Sequence, residues 1–305
     1  MLLIASALIP VFLLILAGAA MRHWRFPGEA LWQPLDRLIY YVLFPALLIR
    51  SLDTAQLAGI GLGPLAAALL LAIVALTGAL LALRPLVTSG GSAFTSVYQG
   101  ALRFSTFIGL GAVAALYGPT GVTAFAFAIA LCVPILNVLC VMILARYASA
   151  HGPLDWRSQV RLLATNPLIL ACLFGIFLNL TGLALPGGVG ATLDLFAKAS
   201  IPLGLLAVGA GLEWHAVRSA GNLVALSTLA RLVAMPVLLA ITCRLTGVDG
   251  VERNVAILWG ALPTASSAYI LARQMGGDAP LMAAIITAQT LAAFATIPLV
   301  LTLLR

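Results

Sequence analysis

The chain of 305 residues is 63% apolar and only 8% charged, and its mean hydropathy is +1.14. Soluble globular proteins carry about 25% charged residues, so this composition excludes a soluble enzyme, a disordered chain and a secreted disulfide scaffold. The net charge of +7 comes from arginines scattered among short linkers, which favours anchoring in a lipid bilayer over nucleic-acid binding. The four cysteines form no CxxC pair, so we expect neither a metal site nor a disulfide framework, and we also predict no cofactor.

The hydropathy pattern predicts an all-α polytopic membrane protein with ten transmembrane helices joined by short linkers. The predicted spans are roughly 2–20, 32–50, 61–83, 94–117, 120–145, 161–181, 190–212, 222–244, 252–273 and 279–304. The longest linker, around 146–160, divides the chain into halves 1–150 and 151–305. Eight loop arginines on one side against four on the other predict an inner-membrane protein with both termini periplasmic or extracellular.

The two halves repeat several sequence features at a nearly constant offset. Two proline pairs are each separated by 35 residues, Pro10 with Pro45 and Pro167 with Pro202. The tripeptide Gly-Ala-Leu occurs at 100–102 and again at 260–262. Because each half contains five spans, the second half must enter the bilayer in the opposite orientation. This predicts two five-helix inverted repeats, an arrangement found in many secondary transporters.

The fourth and ninth spans contain the features of interrupted helices. The fourth reads GALRFSTFIGLGAVAALYG, and the ninth reads GALPTASSAYILARQMGG. Pro263 cannot donate a backbone hydrogen bond and clashes with the preceding turn, so it predicts a break in the ninth span. Such breaks are tolerated in a membrane where they line a cavity. The alternative is a pair of kinked packing helices with small-residue contacts.

Three stretches resemble the auxin efflux carrier family of membrane transporters. They are LDRLIYYVLFPALLI at 35–49, FIGLG at 107–111 and GALPTASSAYILARQMGGD at 260–278. The resemblance covers nearly the whole chain and implies fourth and ninth helices that break and cross near the midplane, as in bile-acid symporters and related antiporters. It also implies a scaffold of helices 1, 2, 6 and 7, a moving transport domain of helices 3–5 and 8–10, and a homodimer. The family includes plant auxin exporters and bacterial malonate and malate permeases.

The fourth helix departs from the family pattern at two positions. The family usually has an asparagine where this chain has Phe104 and a proline where it has Gly111. Phe104 removes a polar ligand-binding group, and Gly111 permits a break without enforcing one. We therefore expect an asymmetric crossing in which the ninth helix keeps its proline, Pro263.

Two arginines lie within predicted spans, where a charge is costly and usually either pairs or serves a site. Arg103 lies about two turns inside the fourth span, and its planar fork suits a carboxylate; the alternative is snorkelling to the interface. Arg231 lies near the middle of the eighth span, where anion binding, helix docking and a buried carbonyl partner all remain open. Asp194 and Lys198 are four residues apart on the seventh span and are predicted to form a structural pair.

Spans 3–5 and 8–10 contain no Asp or Glu well inside the predicted bilayer region, which disfavours cation exchange. Two internal arginines and the positive ends of half-helices favour an organic anion. We therefore predict a secondary or facilitative transporter of a small carboxylate, auxin-like or dicarboxylate, that works by elevator-like alternating access and is open to proton or sodium coupling. A sodium-coupled symporter of the bile-acid type is the alternative.

The predicted substrate-binding residues are the charged, hydroxyl and break-forming residues of these segments. They are Arg103, Ser105, Thr106, Gly109, Arg231, Pro263, Thr264, Ser266, Ser267 and Gln289. A membrane-embedded enzyme would need a nucleophile–base pair or a metal cluster. The three histidines fall in loops or at span edges, so we predict no enzymatic activity.

Overall fold

A computed structural model describes residues 2–54, 62–87, 90–148, 164–165, 167–183, 185–212 and 221–304. All regular elements among these residues are helical, as the sequence predicts. Residues 149–163, which include most of the predicted central linker and the start of the sixth span, lie outside the described ranges.

The helices of the first half are α1 (Leu2–His23), α2 (Trp32–Leu38), α3 (Phe44–Asp53), α4 (Leu62–Val87), α5 (Gly91–Leu102) and α6 (Thr106–Tyr147). Those of the second half are α7 (Pro167–Thr181), α8 (Gly187–Ala210), α9 (Asn222–Leu229), α10 (Met235–Thr246), α11 (Gly250–Ala261), α12 (Ser267–Met275) and α13 (Ala279–Leu303). A short 3-10 turn, Glu29–Leu31, precedes α2.

Among the described residues, five helical stretches are long and apolar enough to cross a membrane. They are Leu62–Pro85, Gly91–Tyr147, Gly188–Ala210, Asn222–Thr246 and Ala279–Leu303. The second is 57 residues long and contains both the predicted fourth and fifth spans, with Gly118 at a positive φ of 59° between them. Shorter apolar helices occur at Leu8–His23 and Leu170–Thr181. The chain is therefore a multi-pass membrane protein, and ten spans in inverted repeats stay a prediction.

Each of two π-helical turns is followed by a proline. The turns Ile39–Leu43 and Ala230–Ala234 lead into α3 and α10, whose second residues are Pro45 and Pro236. A proline has no N–H to donate and its ring crowds the carbonyl four residues before it. A widened π turn absorbs this mismatch without ending the helix, and such turns often occur at functional sites. The second turn contains Arg231, whose side chain is completely buried.

The helices pack closely where glycines allow backbone contact. α1 packs mainly against α8, and a Cβ on Gly18 would lie 2.0 Å from the carbonyl oxygen of Leu206. A Cβ on Gly209 would lie 1.8 Å from the carbonyl oxygen of Ile15. α3 packs against α7 and α8, whereas α4 packs against α10, and α11 packs against α6 and α10.

The structure contains the interruptions predicted for the fourth and ninth spans. α5 ends at Leu102 and α6 begins at Thr106, while α11 ends at Ala261 and α12 begins at Ser267. Leu262 is extended, with φ −71° and ψ 142°, because the residue before a proline avoids the helical region. Arg103 is also extended, with φ −73° and ψ 150°, although no proline follows it.

The first break lies before the two glycines of the fourth span, at residues 103–105. Gly109 and Gly111 are both inside α6, past the break at residues 103–105. Gly109 instead allows close packing, since a Cβ there would lie 2.1 Å from Cζ of Phe125. Gly111 thus does not break the helix, in keeping with a residue that permits a break without enforcing one, and the glycines of this segment allow close helix packing.

Candidate functional site

The two breaks contact each other, and we call residues 102–106 and 261–267 together the crossing. The backbone N–H of Ser105 donates to the carbonyl of Pro263 at 2.7 Å. The hydroxyl of Thr264 reaches the carbonyl of Gly100, at the end of α5, at 2.6 Å. Backbone groups that each break leaves without a helical partner are therefore satisfied by the opposite break.

Arg231 binds the carbonyl ends of both interrupted helices. Its Nε donates to Leu262 O at 2.7 Å and its Nη1 to Leu102 O at 3.2 Å. Its Nη2 donates to Trp259 O, and the guanidinium carbon lies 4.8 Å from the Trp259 ring centroid. The C-terminal ends of α5 and α11 both carry partial negative charge. One buried cation therefore neutralises the partial charge of two helix ends. Of the three roles considered for Arg231 in the sequence, this is the one in which it binds buried carbonyls.

Gln289 of α13 links the same two breaks through its side-chain amide. Its Oε1 accepts from the backbone N–H of Thr264 at 2.9 Å and lies 2.8 Å from the Thr264 hydroxyl, whose single proton it shares with Gly100 O. Its Nε2 donates to Gly100 O at 3.0 Å and to Ser227 Oγ at 3.4 Å. The amide is fully buried and fully used. Gln289 and Thr264 thus hold the crossing together rather than facing an open space.

Phe104 fills the position at which the resemblance expects an asparagine. Its ring lies 4.9 Å from Trp259 and 6.0 Å from Phe125, and the side chain is only 4% exposed. Aromatic pairs at these distances and tilts are favourable contacts. This side of the crossing is therefore an aromatic cluster in which hydrophobic packing replaces the polar group.

The side chain of Arg103 lies beside the start of α12, and one of its nitrogens still has N–H groups to donate. Its Nη2 donates to Ser267 Oγ at 3.1 Å, while its buried Nη1 has no hydrogen-bond partner among the described residues. Ser266 and Ser267 are exposed, and Thr106 is partly exposed. An arginine fork beside the positive N-terminus of a helix is an arrangement that binds carboxylates and other anions.

The predicted site residues fall into two sets. Six of them contact other protein groups within a packed interior: Ser105, Gly109, Arg231, Pro263, Thr264 and Gln289. Four keep accessible surface: Arg103, Thr106, Ser266 and Ser267. Only the second set, in this conformation, is open to a small molecule.

Sequence reasoning missed Gln99, one helical turn before Arg103. Its side chain is completely buried, and neither amide atom has a hydrogen-bond partner among the described residues. In sequence it follows the hydroxyl residues Ser92, Thr95 and Ser96 of the same helix, from which nothing sets it apart. Its spacing of four residues from Arg103 was the available signal, because residues at that spacing share a helix face.

Asp194 pairs with Arg50 of α3, away from the crossing. The Arg50 Nε lies 2.7 Å from Asp194 Oδ1, and its Nη1 lies 2.6 Å from Asp53 Oδ2. The sequence predicted Lys198 as the partner of Asp194. Spacing along one helix identifies neighbours within that helix, but it does not identify a partner on another helix, such as Arg50. The pair is structural in position, since it joins α3 to α8.

A surface cleft of about 470 Å³ lies elsewhere, at the far ends of the helices that form the crossing. It is lined by Leu116, Tyr117, Gly250, Arg253 and Asn254. None of the predicted site residues lines it, so we place the candidate site by the chemistry of the crossing. Within the described ranges, no three His, Cys, Asp or Glu residues are grouped as a metal site requires.

Comparison with known proteins places this architecture among membrane transporters. Residues 156–301 match a family model described as membrane transport protein. The chain is 25% identical over 300 residues to an uncharacterized transporter of Methanothermobacter thermautotrophicus, and the match covers 96% of each chain. It is 28% identical over 146 residues to a putative malonate transporter of Rhizobium meliloti, which covers 48% of this chain and 46% of that relative.

These matches confirm the resemblance to the auxin efflux carrier family. The family model covers the second half of the chain, which contains Arg231, α11 and α12. The comparisons support a membrane transporter, in agreement with the apolar helices of the fold.

Proposed function

We propose that this protein is a secondary transporter of small organic carboxylates that binds its cargo beside the crossing and works by alternating access. The observation that carries the proposal is the pair of interrupted helices joined at their breaks, with the unpaired donor of Arg103 next to the exposed start of α12. Broken helices of this kind bring charge and free polar groups to a membrane-embedded site.

The charge of this region supports an anionic cargo. Arg103 is the cation at the accessible edge of the crossing, and the N-terminal end of α12 adds partial positive charge. Arg231 is already bound by carbonyls, so the charge of the cargo would be met by Arg103. The name of the Rhizobium meliloti relative, a putative malonate transporter, agrees with a carboxylate.

The packing of the helices supports a division into a scaffold and a transport domain that moves against it. α1, α3, α7 and α8 pack mainly with one another, while α4, α5, α10, α11 and α13 contact mainly one another together with α6, α9 and α12. We propose that the first group forms the scaffold and the second, with α6, α9 and α12, the transport domain of an elevator-like mechanism. The proposal includes ten spans in two inverted repeats, a homodimer, and an inner-membrane location with both termini on the outer side.

The alternative coupling is to sodium, as in symporters of the bile-acid type. Sodium binds oxygen ligands, and the accessible hydroxyls of Thr106, Ser266 and Ser267 supply oxygens without any carboxylate. Uptake driven by an inward sodium gradient at constant pH would favour this alternative, whereas uptake that follows only a proton gradient or the cargo gradient would exclude it.

The experiment that tests the function is uptake of radiolabelled malonate into proteoliposomes. We expect wild-type protein to accumulate malonate above empty liposomes, and Arg103→Ala to lose most of that uptake with an unchanged Tm. The matched control is Arg244→Ala, an exposed arginine in the last turn of α10, which should transport normally. Equal uptake by Arg103→Ala and wild type would remove Arg103 from the site.

A further inference from the structure

Gln99 is a buried side chain that the fold does not use. Its exposure is 0%, and both its Nε2 and its Oε1 are without hydrogen-bond partners among the described residues. Gln289, the same residue type at the same crossing, is equally buried and uses both amide atoms. An unpaired buried amide costs folding free energy and calls for a specific explanation, such as a ligand or a bound water. Gln99 is therefore a candidate for a side chain that binds a ligand.

The position of Gln99 places it with the accessible arginine. The backbone N–H of Arg103 donates to Gln99 O at 2.9 Å, so Arg103 is still in helical register at its α-carbon. Side chains four residues apart lie on the same face of a helix. That face lies where α5 meets α6 and α12, since α5 packs against both helices and Arg103 donates to Ser267 of α12.

The unpaired atoms on this face have complementary chemistry. Arg103 Nη1 and Gln99 Nε2 are both unpaired donors, and donors are what the oxygens of a carboxylate require. Gln99 Oε1 is an acceptor, and it requires a donor that a simple carboxylate does not have. The amide presents its donor and acceptor side by side, which matches a carboxylate with a hydroxyl on the adjacent carbon.

We infer that Gln99 is a specificity-determining residue of the cargo site, which together with Arg103 selects carboxylates that carry an adjacent O–H donor. This inference rests on the proposed function and adds a residue and a substrate class to it. The Arg103 Nη1 and Gln99 Nε2 donate to the carboxylate, and the cargo hydroxyl donates to Gln99 Oε1. An unsubstituted carboxylate leaves Oε1 buried and unpaired, so it binds more weakly.

The test compares two probes that differ by one hydroxyl, lactate and propionate, on purified protein in detergent micelles. We expect wild type to bind lactate at least about tenfold more tightly than propionate. Gln99→Met keeps the length of the side chain and removes both polar atoms. We expect this variant to lose the preference for lactate, because neither Nε2 nor Oε1 remains to distinguish the two probes.

Thermal unfolding without cargo separates this role from a structural one. We expect Gln99→Met to have a Tm at or above that of wild type, because no protein hydrogen bond is lost. Gln289→Met is the matched comparison and should lower the Tm, because it removes a paired amide. A lower Tm for Gln99→Met with an unchanged lactate preference would overturn the inference, since the amide would then serve the fold.

The outcome for Gln99 can be distinguished from the outcome for the function. Equal binding of lactate and propionate by wild type, or binding of neither, overturns the role of Gln99. If malonate uptake nevertheless persists and depends on Arg103, the proposed function stands. Absence of uptake of malonate, lactate and propionate by wild type contradicts the proposed function itself.

Discussion

The crossing has two sides that differ in how their buried polar groups are treated. On one side, Arg231, Thr264 and Gln289 make hydrogen bonds to the ends of both broken helices. On the other, Gln99 and Arg103 keep buried nitrogen or oxygen atoms without partners in the described structure. Both sides involve α5, and both are built from arginine and glutamine. The difference is therefore one of arrangement, not of residue type.

This difference separates the residues that join the two broken helices from the residues that are able to bind cargo. A saturated network in a low-dielectric interior holds a unique geometry, because every lost bond leaves a buried group unpaired. An unpaired buried amide costs about 1–3 kcal/mol, a cost that is recovered only when a partner arrives. We therefore assign the saturated side to holding the two breaks together and the unpaired side to cargo.

The largest expected effect comes from Arg231→Ala on the saturated side. The substitution leaves three carbonyls, those of Leu102, Trp259 and Leu262, without their cationic donor. Because hydrogen bonds to charged groups are worth about 1.5–3 kcal/mol each, we expect a destabilisation of more than about 3 kcal/mol. Thermal unfolding and size-exclusion profiles in detergent measure it.

Two further variants define what Arg231 contributes. Arg231→Lys keeps the charge but not the fork, so it should recover only part of the lost stability. Arg244→Ala removes an exposed arginine and should leave the Tm unchanged. If Arg231→Ala kept the wild-type Tm and lost malonate uptake, Arg231 would belong to the cargo site, as the sequence alone predicted.

The fold was predictable where its cause is local in sequence. The break after α11 follows from Pro263, which forces Leu262 out of the helical region. The break after α5 has no such residue, and Arg103 is extended where the opposite break bonds Ser105. Its position could be inferred only from the matching Gly-Ala-Leu at 100–102. Gly111, the residue expected to permit it, lies within α6.

The site was less predictable because its key distinctions are tertiary. Arg103 and Arg231 look alike in sequence, as single cations in apolar runs. Which of them is bound by carbonyls depends on where two helix ends from other parts of the chain converge. The same holds for Asp194, whose partner Arg50 lies 144 residues away. Gln99 carries no sequence signal of its unpaired state.

A smaller effect is expected for Thr264→Val, which keeps the shape of the side chain and removes its hydroxyl. The single proton of that hydroxyl is shared by two acceptors, and each of them keeps another donor: Gly100 O accepts from Gln289 Nε2, and Gln289 Oε1 accepts from the Thr264 N–H. Neither is left unpaired, so we expect a loss of only about 1 kcal/mol, measured as a lower Tm. A loss as large as that of Arg231→Ala would mean that the network acts as one unit.

The smallest effect is expected for Ser267→Ala on the unpaired side. The substitution removes the acceptor that lies 3.1 Å from Arg103 Nη2, at an exposed position where alanine suits a helix. We expect no change in Tm and a fall in malonate uptake of roughly 2- to 10-fold, because Arg103 loses one neutral hydrogen bond that orients it. Thr192→Ala, an exposed hydroxyl of α8 that bonds only within its own helix at Gly188 O, is the matched control and should transport normally. A lower Tm for Ser267→Ala with normal uptake would place Arg103 among the groups that hold the crossing together, and the two sides would no longer differ in function.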